Sequence, residues 1–169
     1  MGELLIRDAV EGDAEALAAI YAHHVLHGTA TYDIDPPSAE EMLAKLRHVK
    51  AAGWPFLVAE LHGEVIGYAY ATQFRDRAAY RFACENSIYV ASDKMRRGIG
   101  KALLEALIDR SAAYGFQTMV AVVGGAELGS VALHSALGFE QVGRLERIGF
   151  KFGRWLDSVY MQRALPGAE

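Results

Sequence analysis

Arg96-Arg97-Gly98-Ile99-Gly100-Lys101 sets three cations and two glycines between an apolar, β-type run (Ile88, Tyr89, Val90) and a helical pattern. Amides that open a helix have no partner within it, and the macrodipole adds partial positive charge, so this first turn is a seat for a phosphate or pyrophosphate. Gly98 and Gly100 let an anion approach the backbone, while Arg96, Arg97 and Lys101 add charge-assisted contacts. The P-loop of nucleotide hydrolases needs four residues between its first glycine and its Gly-Lys pair, then Ser or Thr; here one residue separates the glycines and Ala102 follows the lysine. The dinucleotide-binding pattern needs a third glycine where Leu103 stands. Both are rejected. Glu85, just ahead of the apolar run, is a carboxylate that partial burial would raise into the range of a general base; the competing reading is an ion pair with a nearby arginine. His134 can give a proton near neutral pH, against the plainer reading of a helix-surface histidine bonded to backbone. Arg75 is suited to grip a carboxylate with two parallel bonds; Arg77 is a second candidate, and Arg81 reads as a solvated basic edge.

The elements that must position these groups follow from periodicity. Leu4 to Arg7 reads as a strand, and Asp13 as the cap of a helix with Ala16, Leu17, Ile20 and His24 on one side. His27 to Pro37 is a loop. Ser38 and Glu41 form a capping box for a helix through Met42, Leu43 and Leu46, ending near Gly53. Phe56 to Leu61 and Val65 to Ala71 form a hairpin around His62-Gly63-Glu64, with Gly67 marking a bulge or a close backbone approach. Phe74 to Phe82 is aromatic and arginine-rich without a period, and leads into the strand before the loop. Ile99, Leu103, Ala106 and Leu107 share one face of the long helix. Thr118 to Val123 is a buried-type strand; Ser130 caps a short helix that Gly138 stops. Phe139 to Arg144 and Trp155 to Arg163 are closing strands, joined by a glycine-rich connection over Ile148 to Arg154. The order predicts an α/β (α+β) domain with a mixed sheet and helices on both faces.

With 169 residues the chain fits one domain, 1–169. A net charge of −4 with 52% apolar residues argues against a nucleic-acid surface and against disorder. Cys84 alone excludes an internal disulfide and reads as a small buried apolar residue. No basic-then-apolar leader and no membrane-length apolar run are present, so a soluble cytoplasmic protein is expected, without membrane or nucleic-acid partners. His23 and His24 are adjacent and face different sides of a helix, and no metal site is expected.

The element order, the Arg96 to Lys101 loop, Glu85-Asn86-Ser87-Ile88-Tyr89-Val90, Gly28-Thr29-Ala30-Thr31-Tyr32, Leu133-His134 before Leu137-Gly138-Phe139, and Lys151-Phe152-Gly153-Arg154-Trp155-Leu156-Asp157 together resemble the GNAT acyltransferases. More narrowly they resemble the phosphinothricin and methionine sulfoximine acetyltransferases. Met95 departs from the pattern, standing where that superfamily usually has Gln or Arg. The resemblance implies a mostly antiparallel mixed sheet, acetyl-CoA as cosubstrate, an α-amine of a small amino-acid-like acceptor, and a homodimer whose interface lies close to the site.

It also implies residue roles. Glu85 takes the ammonium proton, directly or through water, and His134 gives a proton to the departing thiolate. Ile88, Tyr89 and Val90 run beside the cofactor's pantetheine arm, with the Val90 N–H on the thioester oxygen. Arg96, Arg97, Gly98, Ile99, Gly100 and Lys101 hold the pyrophosphate, and Glu127 and Ser130 contact the cofactor; Glu127 stands where family enzymes commonly have Asn. Tyr32, Phe74, Arg75, Asp76, Arg77, Glu85, Asn86, Ser87 and Lys151 border the acceptor, Lys151 with Trp155 reaching across the dimer interface; the aromatics among them read equally as core or interface packing. Two alternatives stay open: another amine acceptor (a peptide N-terminus, a polyamine or an aminoglycoside), or a silent acyl-CoA-binding module.

Overall fold

A computed structural model describes residues 3–169; Met1 and Gly2, counted in the single-domain reading, lie outside the described residues. Strands β1 (Leu5–Asp8), β2 (Phe56–Leu61), β3 (Glu64–Gln73), β4 (Ala83–Val90), β5 (Thr118–Gly124), β6 (Glu140–Lys151) and β7 (Arg154–Ala164) form one sheet in the order β1-β2-β3-β4-β5-β7-β6. Helices α1 (Ala14–His27) and α2 (Ala39–Ala51) follow β1, α3 (Ile99–Tyr114) joins β4 to β5, and α4 (Leu128–Ala136) joins β5 to β6. Every neighbouring pair is antiparallel except β4 with β5.

Strand β2 shows why helices cover both faces. Its first four residues are all buried, which a one-sided strand would not allow. Phe56 and Val58 pack with Leu17, Tyr21, Met42 and Leu46 of α1 and α2, whereas Leu57 and Ala59 pack with Ile99, Leu103 and Leu107 of α3. Gly67 combines both features read from sequence. Ile66 is the extra residue of a bulge, because Ala59 pairs with Gly67 and Glu60 with Val65. A Cβ on Gly67 would also stand 3.1 Å from Leu103 Cδ1 and 3.2 Å from the Tyr89 carbonyl. None of the described helices is long and apolar enough to cross a membrane.

The Ser38–Glu41 capping box forms as read, Ser38 Oγ accepting from Glu41 N–H at 3.1 Å and Glu41 Oε2 from Ser38 N–H at 2.7 Å. Three local expectations are corrected. Asp13 does not cap α1; its carboxylate takes two 2.9 Å bonds from Arg7 and one of 2.8 Å from Val10 N–H, tying β1 to the turn before the helix. A charge-assisted fork to a guanidinium outcompetes a cap. Ser130 does not cap α4; Glu127 does, accepting from Gly129 N–H at 3.0 Å and Ser130 N–H at 2.7 Å. The Ile148–Arg154 connection is mostly strand: β6 and β7 continue to a two-residue turn at Phe152-Gly153, both in the left-handed region (φ 52° and 71°) that matches strand twist.

Loop 28–37 crosses the sheet end at Gly149, where a Cβ would meet the Tyr32 ring at 2.7 Å. Gly149→Ala is expected to lower stability by about 1–3 kcal/mol, read as a depressed thermal midpoint. Gly12→Ala, with open space around it, should stay within about 0.5 kcal/mol of the parent.

Candidate active site

The parallel pair sets the site. β4 and β5 pair at Ala83–Thr118, Cys84–Met119 and Glu85–Val120, and then part. Alternation along β4 turns the peptide groups of Ala83, Glu85, Ser87 and Tyr89 toward β3, with Ala91 N–H reaching the Ile66 carbonyl at 2.8 Å. Those of Ile88 and Val90 therefore face the gap. His24 of α1 fills part of it: its Nε2 is 2.7 Å from the Val90 carbonyl, and since a carbonyl only accepts, Nε2 carries the hydrogen. Burial holds His24 below the usual histidine range, with that bond opposing. The Val90 N–H stays directed into the gap.

The cleft so formed has a volume of about 250 Å³. Its walls are Glu85 to Tyr89 of β4, Ala121 to Gly124 of β5, Ala30 to Tyr32 of the loop, Ser130 and His134 of α4, and Ser158 of β7. Glu85 is half-buried; burial raises its pKa and the charge of Arg75 opposes this. Among the described residues it has no salt-bridge partner, so the ion-pair reading is not what the structure shows.

His134 is 2% exposed, so it is not on the helix surface, although the backbone bond of the plainer reading does form. Its Nδ1 donates to the Ser130 carbonyl at 2.7 Å, its Nε2 lies 3.2 Å from Asn86 Oδ1, and the Phe139 ring meets it edge-on at 5.0 Å. Burial lowers its pKa, with the Ser130 bond opposing.

The basic loop reaches α3 through two left-handed residues, Arg96 (φ 63°) and Gly98 (φ 79°). No side chain caps α3, so its first amides are offered to the loop, and Arg96, Arg97 and Lys101 are exposed around them. Gly100 seats this turn against the cleft, since a Cβ there would stand 3.4 Å from Leu133 and 3.9 Å from Val90. An uncapped helix start, flanking cations and a strand edge running up to them fit a pyrophosphate followed by an extended arm.

The other expected site residues divide. Tyr32, Asn86 and Ser87 line the cleft. Tyr32 is latched there: its hydroxyl donates to the Asp157 carbonyl at 2.9 Å, accepts from Gly125 N–H at 3.0 Å, and lies 2.9 Å from Ser158 Oγ. Phe74, Arg75, Asp76 and Arg77 lie outside it, on the turn between β3 and β4, where the Arg75 guanidinium lies 4.0 Å over the Phe74 ring. Lys151 does not line the cleft either. It is buried behind the loop, donating to the Thr31 carbonyl at 3.0 Å within its own chain, and burial lowers its pKa. Glu127 is spent on α4. Thr31, His24 and Ser158 contribute without being expected as site residues; periodicity places His24 on the packed side of α1 and Thr31 lies in the Gly28 to Tyr32 segment, whereas nothing local marks Ser158.

The description Acetyltransferase (GNAT) domain matches residues 6–160. The phosphinothricin N-acetyltransferase of Alcaligenes faecalis is 47% identical over 161 residues, which cover 95% of this chain and 82% of that protein. The L-methionine sulfoximine/L-methionine sulfone acetyltransferase of Pseudomonas aeruginosa is 39% identical over 158 residues, covering 93% and 92%. A crystal structure of a GNAT superfamily phosphinothricin acetyltransferase from Sinorhizobium meliloti in complex with acetyl-CoA superposes with a TM-score of 0.95 at 49% identity, covering 98% of this chain and 90% of that one. The parted strands, the open helix start beside them and a match running nearly end to end make one statement: this chain belongs to the GNAT acetyltransferase family.

Proposed function

We propose that the protein transfers the acetyl group of acetyl-CoA to the α-amino group of a small amino-acid-like acceptor of the phosphinothricin, methionine sulfoximine and methionine sulfone class. The observation that carries this is the parting of β4 from β5 after Glu85 and Val120, which aims backbone donors and Glu85 into one cleft beside the α3 start. Bound there, acetyl-CoA supplies an activated thioester carbonyl. The amides of Gly98 to Lys101, with Arg96 and Arg97, hold its pyrophosphate; Ile88, Tyr89 and Val90 align its arm, and the Val90 N–H polarises the carbonyl. Ser130 borders the arm. The Glu127 carboxylate, turned onto α4, is not assigned a contact.

Glu85 takes the proton from the acceptor's ammonium, directly or through one water, because its raised pKa suits an ammonium near neutral pH better than an ordinary carboxylate would. His134 completes the proton path on the α4 wall. Arg75, whose charge acts on Glu85, exchanges its bond to the Phe74 carbonyl (2.8 Å) for the acceptor's carboxylate, with Asp76 and Arg77 beside it on the same turn. Tyr32 and Ser87 shape the side-chain pocket.

The reading includes a cytoplasmic homodimer. Val142, Leu145, Ile148, Phe150, Phe152 and Trp155 stand 44–57% exposed along the β6–β7 hairpin, an apolar face of the kind that interfaces cover. One buried cysteine fits a reducing compartment.

The function is tested by thiol release from acetyl-CoA against a panel of amines. Methionine sulfone and phosphinothricin should saturate with kcat/KM well above that for spermidine; turnover confined to polyamines, or none with any amine, overturns the assignment. Glu85→Gln should lower kcat by about 10²-fold while retaining affinity for acetyl-CoA. In the parent, kcat/KM should fall on the acid side with a midpoint above the ordinary glutamate range, since protonating Glu85 removes the base, and the variant should lose that limb. Arg96→Ala with Arg97→Ala should raise KM for acetyl-CoA several-fold, less so at high salt, with little change in kcat. Phe150→Glu with Trp155→Glu should leave a monomer by sedimentation.

A further inference from the structure

We infer that Asn86 is a positioning residue whose amide governs the proton on His134 Nε2, by offering that nitrogen either a donor or an acceptor. The inference rests on the reading of His134 as part of the proton path. The ring's other nitrogen is committed: Nδ1 lies 2.7 Å from the Ser130 carbonyl, which can only accept, so Nδ1 carries hydrogen in both the neutral and the charged ring. Only Nε2 is variable, and it faces Asn86 Oδ1 at 3.2 Å.

Beside that contact, Asn86 Nδ2 is buried and has no partner among the described residues. With a neutral ring, two acceptors would oppose each other across the 3.2 Å gap. A half-turn of the amide exchanges oxygen and nitrogen in nearly the same volume and places Nδ2–H on the Nε2 lone pair. With a charged ring, the original orientation returns and Oδ1 accepts from Nε2–H. One side chain can thus pair both forms of the imidazole without moving the backbone of β4, which stays fixed by the pairing of Asn86 with Ala71.

Few charges compete for control of the ring. On β4, Glu85 shares the cleft; at the head of α4, the Glu127 carboxylate is engaged by two amides; from β7, Arg163 Nη1 donates to the Leu137 carbonyl at 2.7 Å, beyond the other end of α4. β5 offers only Ala121 to Gly124, and Phe139 packs its ring on the imidazole.

The experiment follows the His134 ring by NMR against pH in the free protein, the signal being identified by its loss in His134→Gln. Asn86→Asp presents acceptors alone and a negative charge, and should raise the titration by about one pH unit, a tenfold gain in proton affinity. Asn86→Leu presents neither donor nor acceptor and should lower it. The same titration in the parent and in whichever of these variants folds overturns the inference. The pH profile of kcat/KM in the variants separates the two readings. A limb that moves with the titration supports both. A titration that moves while the profile stands still upholds the Asn86 pairing and removes His134 from the proton path.

Discussion

Two adjacent strands that pair for three residues and then separate leave a row of peptide groups that must be satisfied elsewhere or offered to a ligand. An unpaired buried amide or carbonyl costs about as much as a lost hydrogen bond, so two neighbouring strands zip unless something holds them apart. Here other parts of the chain hold the ends. His24 takes the Val90 carbonyl on the β4 side, and the Tyr32 hydroxyl takes the Gly125 N–H just past β5. The groups left open by the wedge are therefore met by α1 and the loop after it, through His24 and Tyr32, which precede their partners by 66 and 93 residues.

That distance explains what the sequence could and could not show. The seven strands and four helices were legible because each carries its own period, and the Ser38–Glu41 box because both partners lie within one turn. The open start of α3 was legible for the same reason: two glycines, no capping side chain and three cations sit within six residues. The Tyr32 latch was not, since it joins residues separated by 93 and by 125 positions. Asp13 and Ser130 are the instructive errors. Each has the right residue type at the right local place, but Arg7 outbid a cap in the first case and Glu127 reached the amides first in the second. The long β6–β7 hairpin was shortened in the reading because glycines at 149 and 153 resemble a loop; Gly149 is instead the space that the Tyr32 ring occupies.

Glu85 and His134 share a cleft, and burial moves both toward neutrality: it raises the carboxyl and lowers the imidazole. Arg75 limits the effect on Glu85, so an acceptor whose carboxylate engages that guanidinium would weaken its hold and raise the carboxyl further.

Glu127 shows how a residue that looks wrong for the chemistry can be made harmless. A free carboxylate between β5 and α4 would repel an anionic ligand in the cleft. Its two oxygens instead accept from the Gly129 and Ser130 amides, where the positive end of α4 offsets the charge. The same bonds fix the first turn of α4, and with it the Ser130 carbonyl that holds the His134 ring from below. The carboxylate is thus spent on the backbone of α4, and the helix turn that carries the Ser130 carbonyl is fixed by a residue outside the helix.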